Sequence, residues 1–89
     1  MSFEVKWTET ALKSLKKLDK KSIKRIIEKV EGIKENPFLY VKKLKGIPLY
    51  SLRVGKYRII LSIEFKKLVI FVIEVEHRKK VYKKLKNKS

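Results

Sequence analysis

The first third of the chain combines an alternating segment with a segment of helical spacing. Residues Phe3 to Trp7 read Phe-Glu-Val-Lys-Trp, which has the two-residue period of a half-buried strand. A helix is predicted next, because apolar residues then recur three and four positions apart while lysines fill the opposite side. Thr8 or Thr10 can cap its N-terminus with a side-chain oxygen.

A second amphipathic helix follows almost directly. Asp19 or Ser22 can cap it, and Asn36-Pro37 is predicted to end it, because proline disfavours helical backbone at the preceding residue. Its apolar stripe consists of Ile23, Ile26, Ile27, Val30 and Ile33. Two such helices with so short a connection are expected to form an antiparallel hairpin.

The second half of the chain changes to a period of two. Residues 37–48 are predicted to form a loop, and three strands are predicted at Leu49–Val54, Tyr57–Phe65 and Leu68–Glu76. Gly55-Lys56 is predicted to be a two-residue hairpin turn in which glycine supplies a positive φ. Residues 79–86 have weak helical spacing, which predicts a short C-terminal helix.

The order of these elements predicts an α+β fold, β-α-α-β-β-β with the short C-terminal helix. The helical hairpin is expected to pack on one face of an antiparallel sheet, which leaves the other face open. A chain of 89 residues has room for one hydrophobic core, so residues 1–89 are expected to form a single domain.

The Gly55-Lys56 turn also determines which side chains share a face. A two-residue loop sets Arg53 directly opposite Arg58, and Ser51 then points with them toward the open face. Two arginines in this position repel each other unless an anion lies between them or solvent screens them. The pair therefore favours an anion site on the open face, with solvent screening as the alternative.

The net charge of the chain and the placement of its arginines also favour an anion site. The chain has 25 basic and nine acidic residues and a net charge of +16, which attracts nucleic acid first, an anionic membrane second and an acidic protein third. Only four basic residues are arginines, and Arg53, Arg58 and Arg78 lie on or beside the predicted strands. Because the arginine fork binds phosphate through two hydrogen bonds, this clustering favours a phosphate site over chance placement.

The amino-acid composition also limits the kinds of site that the chain can be expected to have. The chain has no cysteine and a single histidine, His77, so neither a disulfide nor a metal site is expected, and no cofactor is predicted. The longest apolar run, Leu68 to Ile73, is too short to cross a bilayer, so a cytoplasmic protein is expected. Fixed cations, tyrosine hydroxyls and one imidazole suit the stabilisation of charge when a ribose 2′-hydroxyl attacks the adjacent phosphate.

Two segments of the second half resemble the signatures of a known family. Residues 50–60 read YSLRVGKYRII and residues 75–82 read VEHRKKVY, in an order and at a chain length that are similar to the RelE/ParE toxin superfamily of toxin–antitoxin modules. The resemblance extends from Val5-Lys6-Trp7 through Lys43-Leu44-Lys45-Gly46 and so covers nearly the whole chain. It implies a fold similar to that of small microbial ribonucleases.

The resemblance implies a function, partners and site residues. RelE-like toxins cleave messenger RNA in the ribosomal decoding site, so the chain is expected to be a metal-independent endoribonuclease that inhibits translation. The expected partners are a cognate antitoxin, the ribosome and messenger RNA, with no membrane. The implied catalytic residues are Arg53, Arg58, Arg78 and Tyr82. The implied RNA-binding residues are Lys45, Ser51, Lys56, His77, Lys79 and Lys80.

Each catalytic residue has an implied role. Arg53 matches a basic residue that orients the reacting groups, and Arg58 matches the arginine that stabilises charge on the scissile phosphate. Arg78 matches an arginine near the leaving 5′-oxygen, and Tyr82 matches a tyrosine that stacks on the target nucleotide. The chain departs from the family at Ser51, where a lysine proposed as the general base would stand, and His77 is a candidate replacement.

Two other functions remain open at this point. The first is that of a ParE-like toxin, which poisons DNA gyrase and cuts no RNA. The second is that of a noncatalytic nucleic-acid-binding module, whose affinity would fall steeply with salt and depend little on which basic residue is removed.

Overall fold

The computed structural model describes residues 2–77, and the predicted C-terminal helix at residues 79–86 lies outside them. The elements are β1 (Glu4–Trp7), α1 (Glu9–Lys16), α2 (Lys20–Gly32), a 3₁₀ helix (Pro37–Leu39), β2 (Lys42–Lys43), β3 (Tyr50–Val54), β4 (Tyr57–Glu64) and β5 (Val69–His77). Within residues 2–77, the predicted strands and helices are present with bounds that differ by at most four residues from those expected. The prediction of a plain loop at residues 37–48 is wrong, because this segment contains the 3₁₀ helix and β2.

Side-chain caps start both α-helices. The Thr8 side-chain oxygen accepts a hydrogen bond from the Ala11 amide at 3.2 Å, and its hydroxyl donates to the Val72 carbonyl at 2.7 Å. One residue therefore starts α1 and also ties it to β5. The Asp19 carboxylate accepts bonds from the Ser22 hydroxyl at 2.6 Å and the Ser22 amide at 3.1 Å, and these bonds lower the pKa of the Asp19 carboxyl.

Helix α2 ends earlier than the sequence predicted. It stops at Gly32 rather than at Asn36-Pro37. After Gly32 the backbone hydrogen bonds span three residues instead of four. The Lys34 amide donates to the Glu31 carbonyl at 3.4 Å, and the Asn36 amide donates to the Ile33 carbonyl at 3.2 Å. Glycine has a low helix propensity, so α2 ends at Gly32, before Pro37 would terminate it.

The sheet has five strands in the order β1-β5-β4-β3-β2. The pairs β2–β3, β3–β4 and β4–β5 are antiparallel, but β1 runs parallel to β5, so the prediction of an antiparallel sheet is wrong at this edge. Tight turns force β3, β4 and β5 to alternate in direction. Strand β1 reaches the sheet through the long crossover of α1 and α2, which permits a parallel neighbour.

The core lies between the helices and one face of the sheet, as predicted. Helix α1 packs on β5 and helix α2 packs on β3. The side chains that build the core come from both helices and from alternate strand positions: Phe3, Ala11, Leu15, Ile26, Val30, Ile33, Leu52, Val54, Tyr57, Ile59, Leu61, Ile70, Val72 and Val75. Among residues 2–77, neither α1 nor α2 packs on the opposite face of β3 and β4, which we call the uncovered face.

A register shift in β5 changes where its acidic residues lie. The pairing of β4 with β5 slips between Ile60 and Leu61, as in a β-bulge. The Ser14 hydroxyl on α1 donates a hydrogen bond to the Glu74 carboxylate, which also accepts from the Val75 amide at 3.0 Å. Glu74 therefore faces the helix side of the sheet.

Candidate functional site

The β3–β4 hairpin positions the two central arginines. Arg53 pairs directly with Arg58, and Leu52 pairs with Ile59, which confirms the predicted register. Gly55 has a φ of +58°, which the tight turn requires of its first residue. Leu52 and Ile59 are buried beneath the helices, so Arg53 and Arg58 project from the other face.

The two arginines line a shallow cavity on this uncovered face, which we call the arginine cleft. Its volume is about 290 Å³, and it is lined by Tyr40, Lys42, Ser51, Arg53, Tyr57 and Arg58. Among the described residues these contribute three cations, and hydroxyl groups supply the remaining polar side-chain atoms. Such a set can bind an anion, and paired guanidinium groups suit a tetrahedral phosphate better than a simple halide.

Lys42 is a cleft residue that sequence reasoning missed. Strand β2 pairs with β3 so that Lys42 lies opposite Ser51, and the Leu44 amide closes the connecting turn on the Leu49 carbonyl at 2.9 Å. A strand of two residues has no detectable period. The signal that could have revealed it is the turn sequence Gly46-Ile47-Pro48 immediately before β3, which is typical of a hairpin loop.

Tyr40 is the second cleft residue that the sequence did not single out. Its side chain is half-exposed, and the Lys29 ammonium on α2 lies 5.3 Å from the centre of its ring. Tyr40 follows the 3₁₀ helix, and no periodic pattern marks it. It places an accessible aromatic ring at the rim of the arginine cleft, next to a cation.

Three further predicted RNA-binding residues, Lys45, Lys56 and His77, lie within residues 2–77 but do not line the arginine cleft. Lys45 lies exposed in the turn between β2 and β3 and does not line the cleft. Lys56 lies in the β3–β4 turn, with its ammonium 5.7 Å from the centre of the Tyr57 ring. Strand pairing sets His77 opposite Tyr57, and their rings meet edge-to-face at 5.4 Å.

Alternation along β4 and β5 separates the histidine from the arginines. Glu76 pairs with Arg58, so these two lie on the uncovered face, whereas Tyr57 and His77 share the helix side. The imidazole thus lies beside the hairpin but on the other face from Arg58. Arg78, Lys79, Lys80 and Tyr82 lie outside the described residues.

Comparisons with known proteins bear on this geometry. The family model for the ParE toxin of type II toxin–antitoxin systems matches residues 5–82 of the chain. This chain belongs to the RelE/ParE toxin family. The match confirms the predicted family and the predicted identity as a toxin of a type II toxin–antitoxin system, and it includes the segment that carries Arg78 and Tyr82.

Individual relatives of the toxin carry RelE names. The toxin is 31% identical over 88 residues to a RelE toxin of Methanocaldococcus jannaschii, across 93% of this chain and 98% of the relative. It is 30% identical over 83 residues to the mRNA interferase toxin RelE of Escherichia coli K12, across 90% of this chain and 87% of the relative. Sequence relatives therefore point to the RelE branch, whereas the matching family model carries the ParE name.

Structural comparison confirms the predicted fold of the toxin. A chain of the RelBE2 toxin–antitoxin complex from Mycobacterium tuberculosis superimposes with a TM-score of 0.82 at 25% identity, over 88% of this chain and 100% of that one. The helical hairpin on one sheet face is thus shared with a toxin–antitoxin complex.

Residues 2–77 of the toxin contain neither a group of side chains placed to hold a metal ion nor a membrane-spanning helix. This part of the chain contains no group of three or more His, Cys, Asp or Glu side chains placed to hold a metal ion. It also contains no helix that is long and apolar enough to cross a membrane.

Proposed function

We propose that the toxin is an endoribonuclease that cleaves messenger RNA in the ribosomal decoding site and so inhibits translation. The observation that carries this proposal is the cross-strand pair Arg53 and Arg58, which lines a cleft with Lys42 on the sheet face that the helices leave free. Relatives named mRNA interferases support it.

The proposed reaction is an internal transfer at the scissile phosphate. The ribose 2′-oxygen forms a bond to phosphorus as it loses its proton, and the bond to the 5′-oxygen of the next nucleotide breaks as that oxygen takes up a proton. The products are a 2′,3′-cyclic phosphate, which can open to a 3′-phosphate, and a 5′-hydroxyl. Negative charge builds on the non-bridging oxygens during the transfer, and cations fixed in advance stabilise that charge more than they stabilise the ground state.

The catalytic roles follow from position and from the family resemblance. Arg58, half-buried and paired with Arg53, is proposed to hold the non-bridging oxygens, and Arg53 to orient the phosphate between the two strands. Arg78 is proposed to stabilise the leaving 5′-oxygen and Tyr82 to stack on the target nucleotide; both proposals rest on the resemblance.

Lys42 provides an amine in the arginine cleft, where this chain has Ser51 in place of the family's lysine. The family carries a lysine at the position of Ser51, and Lys42 lies directly across the strand pair from Ser51 in the same cleft. We propose that its ammonium binds the phosphate from the β2 side. The remaining basic residues of the site, Lys45, Lys56, His77, Lys79 and Lys80, are proposed to bind the flanking RNA.

The ribosome is proposed to position the reacting 2′-hydroxyl. The described residues of the arginine cleft are cations, tyrosines and a serine, which stabilise charge rather than remove a proton at neutral pH. Correct alignment of the attacking oxygen would then contribute much of the rate, and the decoding site can impose it. We expect free RNA to be cut poorly and ribosome-bound messenger RNA to be cut well.

Primer extension on messenger RNA from a translating extract tests this function. The toxin should produce discrete stops within codons only when ribosomes are present, and the downstream fragments should carry a 5′-hydroxyl. Equal cleavage of naked and ribosome-bound RNA would contradict ribosome dependence, and no cleavage in either would contradict the nuclease.

A cognate antitoxin is the proposed protein partner. The relative from Mycobacterium tuberculosis was solved as a toxin–antitoxin complex. A net charge of +16 favours a partner rich in acidic residues, and we propose that it covers the uncovered sheet face. Co-expression of a candidate antitoxin from the neighbouring reading frame should restore growth and yield a complex; failure of both would contradict this assignment.

A gyrase poison is the second candidate function. The family model that matches residues 5–82 carries the ParE name, which favours this candidate over a general binding module. A DNA supercoiling assay with purified gyrase separates the two functions. Inhibition of supercoiling by the toxin, together with intact messenger RNA in the extract, would replace the nuclease by the gyrase poison.

A further inference from the structure

A second depression lies between helix α2 and the β3–β4 turn, on the helix side of the sheet; we call it the turn groove. Its volume is about 240 Å³, and it is lined by Ser22, Arg25, Ile26, Val54, Gly55, Lys56 and Tyr57. The two cations, Arg25 and Lys56, come from elements that are far apart in sequence. No residue of this groove except Lys56 was predicted to bind RNA.

Arg25 folds back over the turn. Its Nη1 atom lies 3.5 Å, and its Cζ atom 3.8 Å, from the point where a side chain at Gly55 would begin. Gly55 adopts the positive φ of the turn, and a Cβ at this position would make an ordinary van der Waals contact with the guanidinium group. The guanidinium group of Arg25 on α2 therefore lies next to the hairpin that carries Arg53 and Arg58.

The turn groove and the arginine cleft are joined by a third depression. This one has a volume of about 410 Å³ and is lined by Arg25, Glu28, Lys29, Arg53, Val54 and Gly55. It shares Arg25 with the turn groove and Arg53 with the arginine cleft. A continuous path of cations therefore runs around the β3–β4 turn from one face of the sheet to the other.

Acidic residues beside this path have partners of their own. Glu28 lies 4.0 Å from the Lys24 ammonium on the outer side of α2. Asp19 binds the Ser22 hydroxyl and amide, which lower the pKa of its carboxyl, with a smaller contribution from the charge of Lys56. The path remains positive overall, because the four cations Arg25, Lys29, Arg53 and Lys56 outnumber these two carboxylates.

We propose that the turn groove is a second phosphate site, in which Arg25 and Lys56 bind the backbone of an RNA strand that also occupies the arginine cleft. This inference rests on the proposed function. An arginine fork and a lysine point charge match successive phosphates, and a path along the surface matches a strand rather than a single small anion. The half-exposed Tyr40 ring beside Lys29 favours RNA over an acidic peptide, because bases stack on aromatic rings.

Paired substitutions on helix α2 test the proposal. Arg25→Met removes one positive charge from the groove, and the control Lys24→Met removes one from the neighbouring residue, whose side chain is 79% exposed on the outer side of the helix. The probe is a fluorescent single-stranded RNA of about ten nucleotides, within the range of single-strand site sizes, with every 2′-hydroxyl methylated to prevent cleavage. Anisotropy titrations at several salt concentrations give the affinity and its salt slope.

The expected result is a loss specific to Arg25. Arg25→Met should weaken binding by about tenfold, the loss of one charge-assisted contact, and should reduce the salt slope by about 0.7. Lys24→Met should stay within about twofold of the unmodified toxin. Arg25→Lys should fall between them, because it keeps the charge and loses the fork. A trinucleotide, too short to span both sites, should bind Arg25→Met and the unmodified toxin about equally.

The possible failures can be told apart. If Arg25→Met and Lys24→Met weaken RNA binding equally, the turn groove is not a phosphate site. If Arg25→Met weakens only the complex with the antitoxin, the groove binds protein and the proposal is likewise wrong. If Arg25→Met weakens RNA binding while Arg58→Lys leaves cleavage intact, the groove stands and the proposed catalytic function fails. Thermal unfolding of each variant checks that the fold is retained; an unfolded Arg25→Met leaves Arg25→Lys to decide the outcome.

Discussion

The two faces of strands β3 and β4 differ in burial and in charge. On one face Leu52 and Ile59 are at most 1% exposed and pack beneath the helices. On the other, their immediate neighbours Arg53 and Arg58 repel each other across the sheet and line the arginine cleft. The buried set specifies the fold, so the exposed set can carry charge that is unfavourable for stability and that suits the proposed phosphate site.

A core substitution should have the largest effect on stability. Ile59→Ala should lower the free energy of unfolding by about 2–5 kcal/mol, because Ile59 is fully buried and its loss leaves a cavity. Urea denaturation followed by circular dichroism measures the change. Ser62→Ala, on the uncovered face of the same strand, should change stability by less than about 0.5 kcal/mol. Equal losses would remove the distinction between the faces.

A substitution in the cleft should separate activity from stability. Lys42→Met should slow cleavage by an amount corresponding to about 1.5–3 kcal/mol, the strength of a hydrogen bond to a charged group, with stability unchanged. Lys43→Met is the matched control, because Lys43 is the other residue of β2 and does not line the cleft. Primer extension in a translating extract measures both, and similar rates for the two variants would exclude Lys42 from the site.

The helix side should also respond to the loss of a cap. Thr8→Ala should lower stability by about 0.5–2 kcal/mol, because the variant loses both the α1 cap and the bond to the Val72 carbonyl. Thr10→Ala, at the exposed neighbouring position, should have a smaller effect. If Thr10→Ala costs more in urea denaturation, then Thr8 is not the cap that holds α1 on β5.

The smallest expected effect concerns pH. The pKa of Asp19 is lowered in the folded protein, chiefly by its bond to the Ser22 hydroxyl, so its contribution to stability is present above its ordinary pKa of 3.8. That contribution should disappear as the pH falls through the lower, folded pKa. Asp19→Asn should therefore flatten the acid end of the stability curve, and an unchanged curve would contradict the role of this cap.

Sequence reasoning worked where local geometry leaves one solution. The Gly55-Lys56 loop allows only one pairing of Arg53 with Arg58, so the hairpin and its two faces followed from the turn. Helix caps and the layer of helices on one sheet face followed from equally local patterns.

It failed where the neighbour is distant in sequence. The parallel pairing of β1 with β5 depends on a crossover rather than a turn, and β2 is too short to have a period. Only the fold brings the guanidinium group of Arg25 next to Gly55, thirty positions later in the chain. The cleft residue Lys42 was missed because the two-residue strand β2 has no detectable period.

The central claim is that the arginine cleft catalyses RNA cleavage rather than merely attracting RNA. The direct measurement is the rate of messenger RNA cleavage in a translating extract by Arg58→Lys, which keeps the charge but loses the two-pronged grip on phosphate. The control is Lys13→Arg, which also keeps the charge, at an exposed position of α1; Arg25 cannot serve as a control because it lies at the turn groove.

If the arginine cleft is catalytic, Arg58→Lys should raise the barrier by about 2–4 kcal/mol, a loss of roughly 30- to 1000-fold in rate, with unfolding stability and salt-dependent RNA binding nearly unchanged. Lys13→Arg should cleave at the rate of the unmodified toxin. Equal cleavage rates for Arg58→Lys and Lys13→Arg would contradict the account and leave a protein that binds nucleic acid through charge alone.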